Sequence, residues 1–115
     1  MRADEMIKIV IARDLKGSIR RMSINGHSGY AQEGHDIICS AVSATAYTAA
    51  GALGELAGLD GCYEESGGRM VIGLPAEMTA RQEETAGIIL ETAAIGFKQI
   101  ELSYGKYVAV IEEEV

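Results

Sequence analysis

The fold is decided by residues 37–57, which read IICSAVSATAYTAAGALGELA. Apolar or small side chains recur there at intervals of three and four residues, which is the spacing of one face of an α-helix. These positions are Ile38, Val42, Ala46, Ala49, Leu53 and Leu56. Glu55 is the only charged residue between Ile37 and Leu59, so the apolar surface extends beyond one face. We expect this helix to lie centrally in the core or against a second subunit, and Gly58 to end it.

Two strands precede the helix. Residues 6–12 place Ile7, Ile9 and Ile11 on one side of a strand, and residues 14–17 supply a turn. Residues 18–26 then form the returning strand, with Met22 and Ile24 facing inward. The pattern predicts an antiparallel hairpin.

The second half of the chain also contains two strands followed by a helix, and then a last strand. Residues 62–66 and 69–74 are strands joined by a Gly67-Gly68 turn. Thr79 and Gln82 match a capping box and open a second helix. Its predicted buried stripe is Ala86, Leu90, Ala93, Phe97 and Ile100, with close packing at Gly96. Residues 106–111 form a last strand, and we expect residues 112–114 to lie free in solvent.

The resulting order is ββαββαβ, which predicts an α+β fold with two layers. An antiparallel or mixed sheet would be packed by two helices. With 115 residues, of which 48% are hydrophobic, the chain fits a single domain over residues 1–115. Residues 1–5 add no pattern and are expected to form a loose extension.

Composition limits the classes of function. The net charge of −7 disfavours direct nucleic-acid binding and suits a basic peptide or protein partner, although plain solubility is the commoner reason for such a charge. We find neither a membrane-spanning stretch nor a signal peptide in the sequence, and we expect a cytoplasmic protein. Two cysteines are too few for a disulfide framework, so each is expected to be a free thiol.

Both histidines and one cysteine fall within residues 26–39. Asp36 is the expected N-cap of the first helix, which would place Cys39 in its first turn. Unpaired amides and the positive helix end lower a cysteine pKa there and favour the thiolate. Ser43 lies four residues on and shares the helix face of Cys39, while His27 can act as general base and acid. If Met22 and Ile24 face the core, strict alternation places the His27 side chain on the opposite face of the sheet, unless Gly26 interrupts the strand.

Other interpretations of these residues stay open. Cys39 can be an inert core thiol, and Cys62 is expected to pack in the interior. His35 is either a competing base or a solvent-facing loop residue. A zinc site would group His27, His35, Cys39 and Cys62, but the close ligand pairs of structural zinc sites are missing. We therefore expect neither a resident metal nor a cofactor.

The loop between the strand and the helix contains Ser28, Gly29, Gly34 and His35. Its glycines fit either an ordinary connection or a lid that admits an extended peptide. The sequence lacks the glycine-rich phosphate loop, the metalloprotease helix motif and the Gly-x-Ser-x-Gly elbow of other enzyme classes. The loop is thus a candidate substrate loop.

Two segments together resemble the paired motif of a known family. Residues 26–28 read GHS, and residues 34–43 read GHDIICSAVS. They are similar to the Gly-His-Ala and Gly-x-Asp-(Ile/Val)-x-Cys-(Ala/Ser)-x-x-Ser segments of the bacterial ribosomal-processing cysteine protease family, Prp. The Gly67-Gly68 hairpin, the helix segment over residues 96–101 and the Tyr104-x-x-Tyr107 exit also match. Ser28 stands where the family commonly has alanine.

The resemblance implies a cysteine endopeptidase. His27 would be the catalytic histidine and Cys39 the nucleophile, with Asp36 and Ser43 in support. Family members remove an N-terminal extension from ribosomal large-subunit protein twenty-seven, cut after aromatic residues, and commonly form homodimers in the cytoplasm. An alternative is a noncatalytic, ribosome-associated adaptor that binds a basic ribosomal protein through its acidic surface.

Overall fold

The computed structural model describes residues 6–26 and 35–115, with the side chains of all of these except His35 and Asp36. The predicted order of elements and the α+β class are confirmed. The elements are β1 (Ile7–Arg13), β2 (Ile19–Asn25), α1 (His35–Ala57), β3 (Tyr63–Ser66), β4 (Arg69–Gly73), α2 (Ala80–Tyr104) and β5 (Val108–Glu114).

The five strands form one mixed sheet in the order β3-β4-β2-β1-β5. The hairpins β1–β2 and β3–β4 are antiparallel, as is the pairing of β2 with β4. Strand β5 returns after α2 and runs parallel to β1, with Ile7 opposite Val108. The two hairpins thus meet in the middle of the sheet, and the last strand extends it beyond β1.

One face of the sheet carries the core. Ile7, Ile9 and Ile11 are fully buried, and so are Met22 and Ile24, which confirms the predicted inward positions. On β4, Met70 and Ile72 continue the same face, because they pair with Ile24 and Met22. The helices pack side by side against this face, with their buried side chains in the same cluster; these are Ile38, Val42, Ala46, Ala49, Leu53, Ala57, Ala86, Leu90, Ala93, Ala94 and Phe97.

Helix α1 differs from the prediction at both ends. It begins at His35, two residues earlier than expected, so Asp36 is its second residue and not its N-cap. Near the other end, Leu56 is 71% exposed and Ala57 is buried in its place. The buried stripe continues from Leu53 by a step of four residues, which leaves Leu56 on the solvent side.

By length and composition alone, residues 37–57 of α1 could cross a membrane, since their mean hydropathy reaches 1.4. The central helix of a compact core passes the same test. Here Val42, Ala46 and Leu53 are fully buried against the sheet and α2. We therefore interpret α1 as the core helix of the fold.

Helix α2 opens with the predicted capping box. The Gln82 backbone N–H donates to Thr79 Oγ1 at 3.1 Å, and the Thr79 N–H donates to Gln82 Oε1 at 3.0 Å. These bonds satisfy two donors that a helix start leaves unpaired. Gly96 lies against α1, because a Cβ there would come within 3.3 Å of the Thr45 methyl group. The close packing expected at this glycine is therefore present.

The acidic end of the chain was expected to be free in solvent, and that prediction was wrong. Residues 112–114 belong to β5 and pair with residues 11–13 of β1. The Arg13 Nε donates to Glu112 Oε1 at 2.8 Å, and Lys98 lies 3.6 Å from the same carboxylate. The hydrogen bond from Arg13, followed by the charge of Lys98, lowers the Glu112 pKa. Parallel pairing and these cations hold the acidic segment in the sheet.

Candidate active site

The predicted nucleophile lies one turn inside α1. Cys39 is the fifth residue of the helix, whereas the sequence placed it in the first turn. It is half-buried and packs against the core cluster. Helical side chains lean toward the N-terminus of their helix, so the thiol extends over the first turn. The correction shifts Cys39 from the first turn of the helix to the start of the second, with its side chain directed back toward the first turn.

Ser43 lies one turn beyond Cys39 and is also half-buried. Residues four apart share a helix face, so the predicted pairing of these two side chains on one face is retained. His35 and Asp36 are the first two residues of α1, so His35 belongs to the helix and not to the preceding loop as predicted; the side chains of both are outside the described set. His27, Ser28, Gly29 and Gly34 also lie outside the described residues. Their roles therefore stay predictions, and so does the zinc hypothesis that needs His27 and His35.

Gly26 connects β2 to the predicted catalytic histidine. Strand β2 ends at Asn25, and Gly26 follows with a φ of 100°, in the region that favours glycine. A Cβ at this position would lie 2.8 Å from the carbonyl oxygen of Met6. The strand therefore ends before position 27. Strand alternation does not determine the direction of the His27 side chain.

Replacing Gly26 by alanine is expected to lower the free energy of unfolding by about 2–3 kcal/mol, because it adds backbone strain and a contact with Met6. Gly17→Ala is the matched control, since Gly17 has a φ of 85° but open space around it. The control carries only the strain and is expected to cost about 1 kcal/mol. Urea unfolding of both variants measures the difference. Equal losses of unfolding free energy in the two variants would show that the contact with Met6 does not contribute to the destabilisation.

The turn of the second hairpin lies at the same end of the sheet as Gly26. Asn25 pairs with Arg69, which directly follows that turn. Gly67 and Gly68 have φ values of 56° and 80°, as a two-residue hairpin turn of type I′ requires. The end of β2 and the hairpin β3–β4 therefore frame one end of the sheet beside α1.

Three residues that the sequence did not single out link α1 to β3. The Tyr63 hydroxyl donates to Glu65 Oε1 at 2.7 Å, and the Tyr47 hydroxyl donates to the same oxygen at 3.1 Å. The two rings meet edge to face with centroids 5.9 Å apart. Burial raises the Tyr63 pKa, and the hydrogen bond to Glu65 raises it further. We call Tyr47, Tyr63 and Glu65 the tyrosine–glutamate cluster.

Sequence spacing held a signal for this cluster. Tyr47 is two turns after Cys39 on α1, and Ser43 lies between them. Tyr63 and Glu65 alternate on β3 and so face the same side of the sheet. Only the contact between the helix and the strand, which depends on the sheet order, joins these two patterns into one cluster.

Cys62 differs chemically from a nucleophile. It is half-buried next to the core, as expected for a packing residue. Burial and the charge of Asp60 raise its pKa, which disfavours the thiolate. Between the two cysteines, the helix position of Cys39 is therefore the better site for thiol chemistry.

Comparison with known proteins assigns the chain to a family. The family described as "Cysteine protease Prp" matches residues 6–109, which is most of the chain. The chain belongs to the cysteine protease Prp family. The match contains β2, the start of α1 and the β3–β4 hairpin, and therefore every candidate residue discussed above.

Relatives and solved structures agree with this assignment. The chain is 27% identical over 101 residues to a protein of Bacillus subtilis named "Ribosomal processing cysteine protease Prp", with 86% of this chain and 90% of the relative covered. A Staphylococcus aureus protein of the same name is 26% identical over 106 residues, covering 88% of this chain and 93% of the relative.

Among solved structures, SMU.848 from Streptococcus mutans is similar with a TM-score of 0.86 and 25% identity over the full length of both chains. The Prp protease from S. aureus in complex with a substrate peptide has a TM-score of 0.77 and 22% identity, covering 94% of this chain and 100% of that one. The second comparison shows the shared fold. Membership of the Prp family confirms the enzyme class expected from the sequence, a cysteine endopeptidase.

Proposed function

We propose that this protein processes a ribosomal protein, by removing the N-terminal extension of ribosomal large-subunit protein twenty-seven. The observation that carries the proposal is the family match over residues 6–109, which includes the motif residues around Cys39. The names of the relatives from B. subtilis and S. aureus describe ribosomal processing and support the substrate class.

In the proposed mechanism His27 and Cys39 form the catalytic dyad. His27 removes the proton of the Cys39 thiol, and the thiolate attacks the carbonyl carbon of the scissile peptide bond. The first N–H groups of α1 lack intrahelical partners and can stabilise the oxyanion of the tetrahedral intermediate. The C–N bond then breaks, His27 gives its proton to the leaving amine, and a thioester remains on Cys39.

Water completes the reaction. His27 accepts a proton from the water molecule as its oxygen attacks the thioester carbonyl, and the thiolate leaves. The products are a peptide carboxylate and the free enzyme. In this scheme Asp36 orients the histidine and Ser43 hydrogen-bonds within the site. The loop that contains Ser28, Gly29 and Gly34 and leads into His35 opens to admit the peptide.

We also propose a cytoplasmic homodimer. The cytoplasm is where a ribosomal precursor would meet its protease. The helix layer supports self-association, because Leu56, Ile88 and Ile95 are each more than 60% exposed on α1 and α2. Large apolar side chains on an outer surface often mark an interface.

A synthetic peptide that spans the precursor extension tests the function. The wild-type protein is expected to cut it at one bond after an aromatic residue, and mass spectrometry would detect two fragments. Protein treated with iodoacetamide, which alkylates thiols, serves as the inactive control. Stable binding of the peptide without cleavage would instead favour the adaptor function.

A further inference from the structure

We infer that Tyr47 is a positioning residue of the peptidase, because its hydrogen bond to Glu65 fixes the helix that carries Cys39 relative to the end of β2. This role rests on the proposed peptidase function and adds to it a residue outside the Cys-His dyad. Three features support it: the hydrogen bond itself, the pairing of β3 with the strands beside it, and the contact between two tyrosine rings.

The Tyr47 hydroxyl joins two elements that are far apart in the chain. It donates to Glu65 Oε1 at 3.1 Å, and the other carboxylate oxygen, Oε2, lies 3.4 Å away. Tyr47 belongs to α1, and Glu65 belongs to β3. The apolar contacts of α1 with the core have no preferred direction, whereas a hydrogen bond to a carboxylate has one and is stronger than a neutral hydrogen bond. The bond therefore limits movement of α1 over the sheet.

Strand pairing connects this bond to the segment that leads to the proposed base. Glu65 pairs with Met70 of β4, and Met70 pairs with Ile24 of β2. Strand β2 ends at the next residue, Asn25. Tyr47 thus ties the helix of the proposed nucleophile to the row of residues at the end of β2. The two halves of the proposed dyad lie at the two ends of this connection.

A displacement of α1 at Tyr47 would also move the nucleophile. Cys39 and Tyr47 are eight residues apart in one continuous helix, about 12 Å along its axis. The backbone of α1 approaches the sheet at β4, whereas α2 lies over β2 and β5. The position of Cys39 relative to the end of β2 is therefore set through β4 and β3. An error of about 1 Å between reacting groups can cost about 10²-fold in rate.

Tyr63 restricts the orientation of Tyr47. The two rings meet edge to face, with centroids 5.9 Å apart and an angle of 67° between their planes. The Tyr63 hydroxyl donates to Glu65 Oε1 at 2.7 Å. Burial, followed by this hydrogen bond, raises the Tyr63 pKa, so the phenol stays protonated as a donor. A neighbouring ring and a carboxylate thus hold the exposed Tyr47 side chain in one direction.

Tyr47→Phe tests the positioning role, because phenylalanine keeps the ring and removes the hydroxyl. The variant is expected to lower kcat for the precursor peptide by about 3- to 10-fold, with KM nearly unchanged. Thr48→Val is the matched control, since the Thr48 hydroxyl donates to the Ala44 carbonyl at 2.7 Å, within α1 itself. The control should keep kcat within about 2-fold of the wild-type value. Equal kcat values for the two variants, or a change confined to KM, would overturn the role of Tyr47.

The pH dependence of thiol alkylation gives a readout that needs no substrate. In a Cys62→Ala background, Cys39 is the one thiol of the sequence that iodoacetamide can alkylate. The pH midpoint of the alkylation rate reports thiolate formation, which a nearby imidazole favours. Tyr47→Phe should therefore have its midpoint at higher pH than Thr48→Val. A midpoint that Tyr47→Phe leaves unchanged would overturn the inference.

The measurements separate this role from the proposed function. Failure of the wild-type protein to cut the peptide would contradict the function, and the alkylation midpoint would still decide the role of Tyr47. Thermal unfolding of both variants measures general stability, and each loses one hydrogen bond. A fall in the kcat of Tyr47→Phe that matched its unfolded fraction would be structural and would also overturn the positioning role.

Discussion

Replacing Cys39 by alanine is expected to lower kcat/KM for the precursor peptide by about 10⁶-fold, the scale seen when a protease loses its nucleophile. Alanine has no group that can form the thioester, and the rest of the site offers only binding and oxyanion stabilisation. Peptide affinity should change little, because the thiol is a small part of the binding surface. Quantitative mass spectrometry of the fragments, with binding followed by fluorescence anisotropy, measures both quantities.

Cys62→Ala is the matched control for this experiment. It removes the other thiol, which is half-buried and has a raised pKa. The control protein is expected to keep nearly the wild-type rate. Cleavage at the same bond and a comparable rate by Cys39→Ala would refute the nucleophile assignment, and a loss confined to Cys62→Ala would transfer that role to Cys62.

Replacing His27 by alanine is expected to reduce kcat by about 10²- to 10⁴-fold, the usual contribution of a general acid–base group. Without the imidazole, the Cys39 thiol would lack the base that removes its proton, and the leaving amine would lack its proton donor. The pH profile provides a second readout. In the plot of kcat against pH, the limb that reports the histidine pKa should be absent for the variant. A purely structural defect would instead lower kcat by the same factor at every pH.

His35→Ala, at the first residue of α1, is the control, and it is expected to retain much of the wild-type turnover. Each of the two variants removes one imidazole from the same segment of the sequence, so the comparison isolates the catalytic role. If His35→Ala were inactive and His27→Ala active, the general base would be His35.

Local sequence rules predicted most of the architecture. Alternation at Ile7, Ile9 and Ile11 identified the buried face of β1, and the Thr79–Gln82 capping box fixed the start of α2. These features depend on residues that are close in the chain, where spacing and turn chemistry act directly. The α+β class follows from them because hairpins and amphipathic helices have few ways to share a core.

The errors arose where distant contacts decide the outcome. Glutamates at 112–114 look like a solvated tail, yet pairing with β1 and the Arg13 side chain keep them in β5. Helix α1 starts earlier than its capping pattern indicated, which moved Asp36 inside the helix. Leu56 fits the apolar spacing, but the core takes up Ala57. For the acidic segment and for Leu56, tertiary packing overrode a local preference.

The candidate site likewise contains some residues that the sequence alone identifies and others that it does not. Motif residues such as Cys39 and Ser43 could be identified from the sequence because they are near each other on one helix. The contact of Tyr47 with Glu65 could not, since it requires β3 to lie at the sheet edge next to α1. The tyrosine–glutamate cluster is thus formed by residues that only the three-dimensional arrangement brings together.

The parallel pairing of β1 with β5 has a consequence for how the molecule is made. The two strands are about a hundred residues apart in the chain, and such non-local pairing slows folding because a long loop must close first. During translation the hairpins and α1 can form early, but β1 keeps an open side until β5 has left the ribosome. The nascent chain therefore completes its sheet late, and the folded domain exists only after the segment that contains β5 has been synthesised.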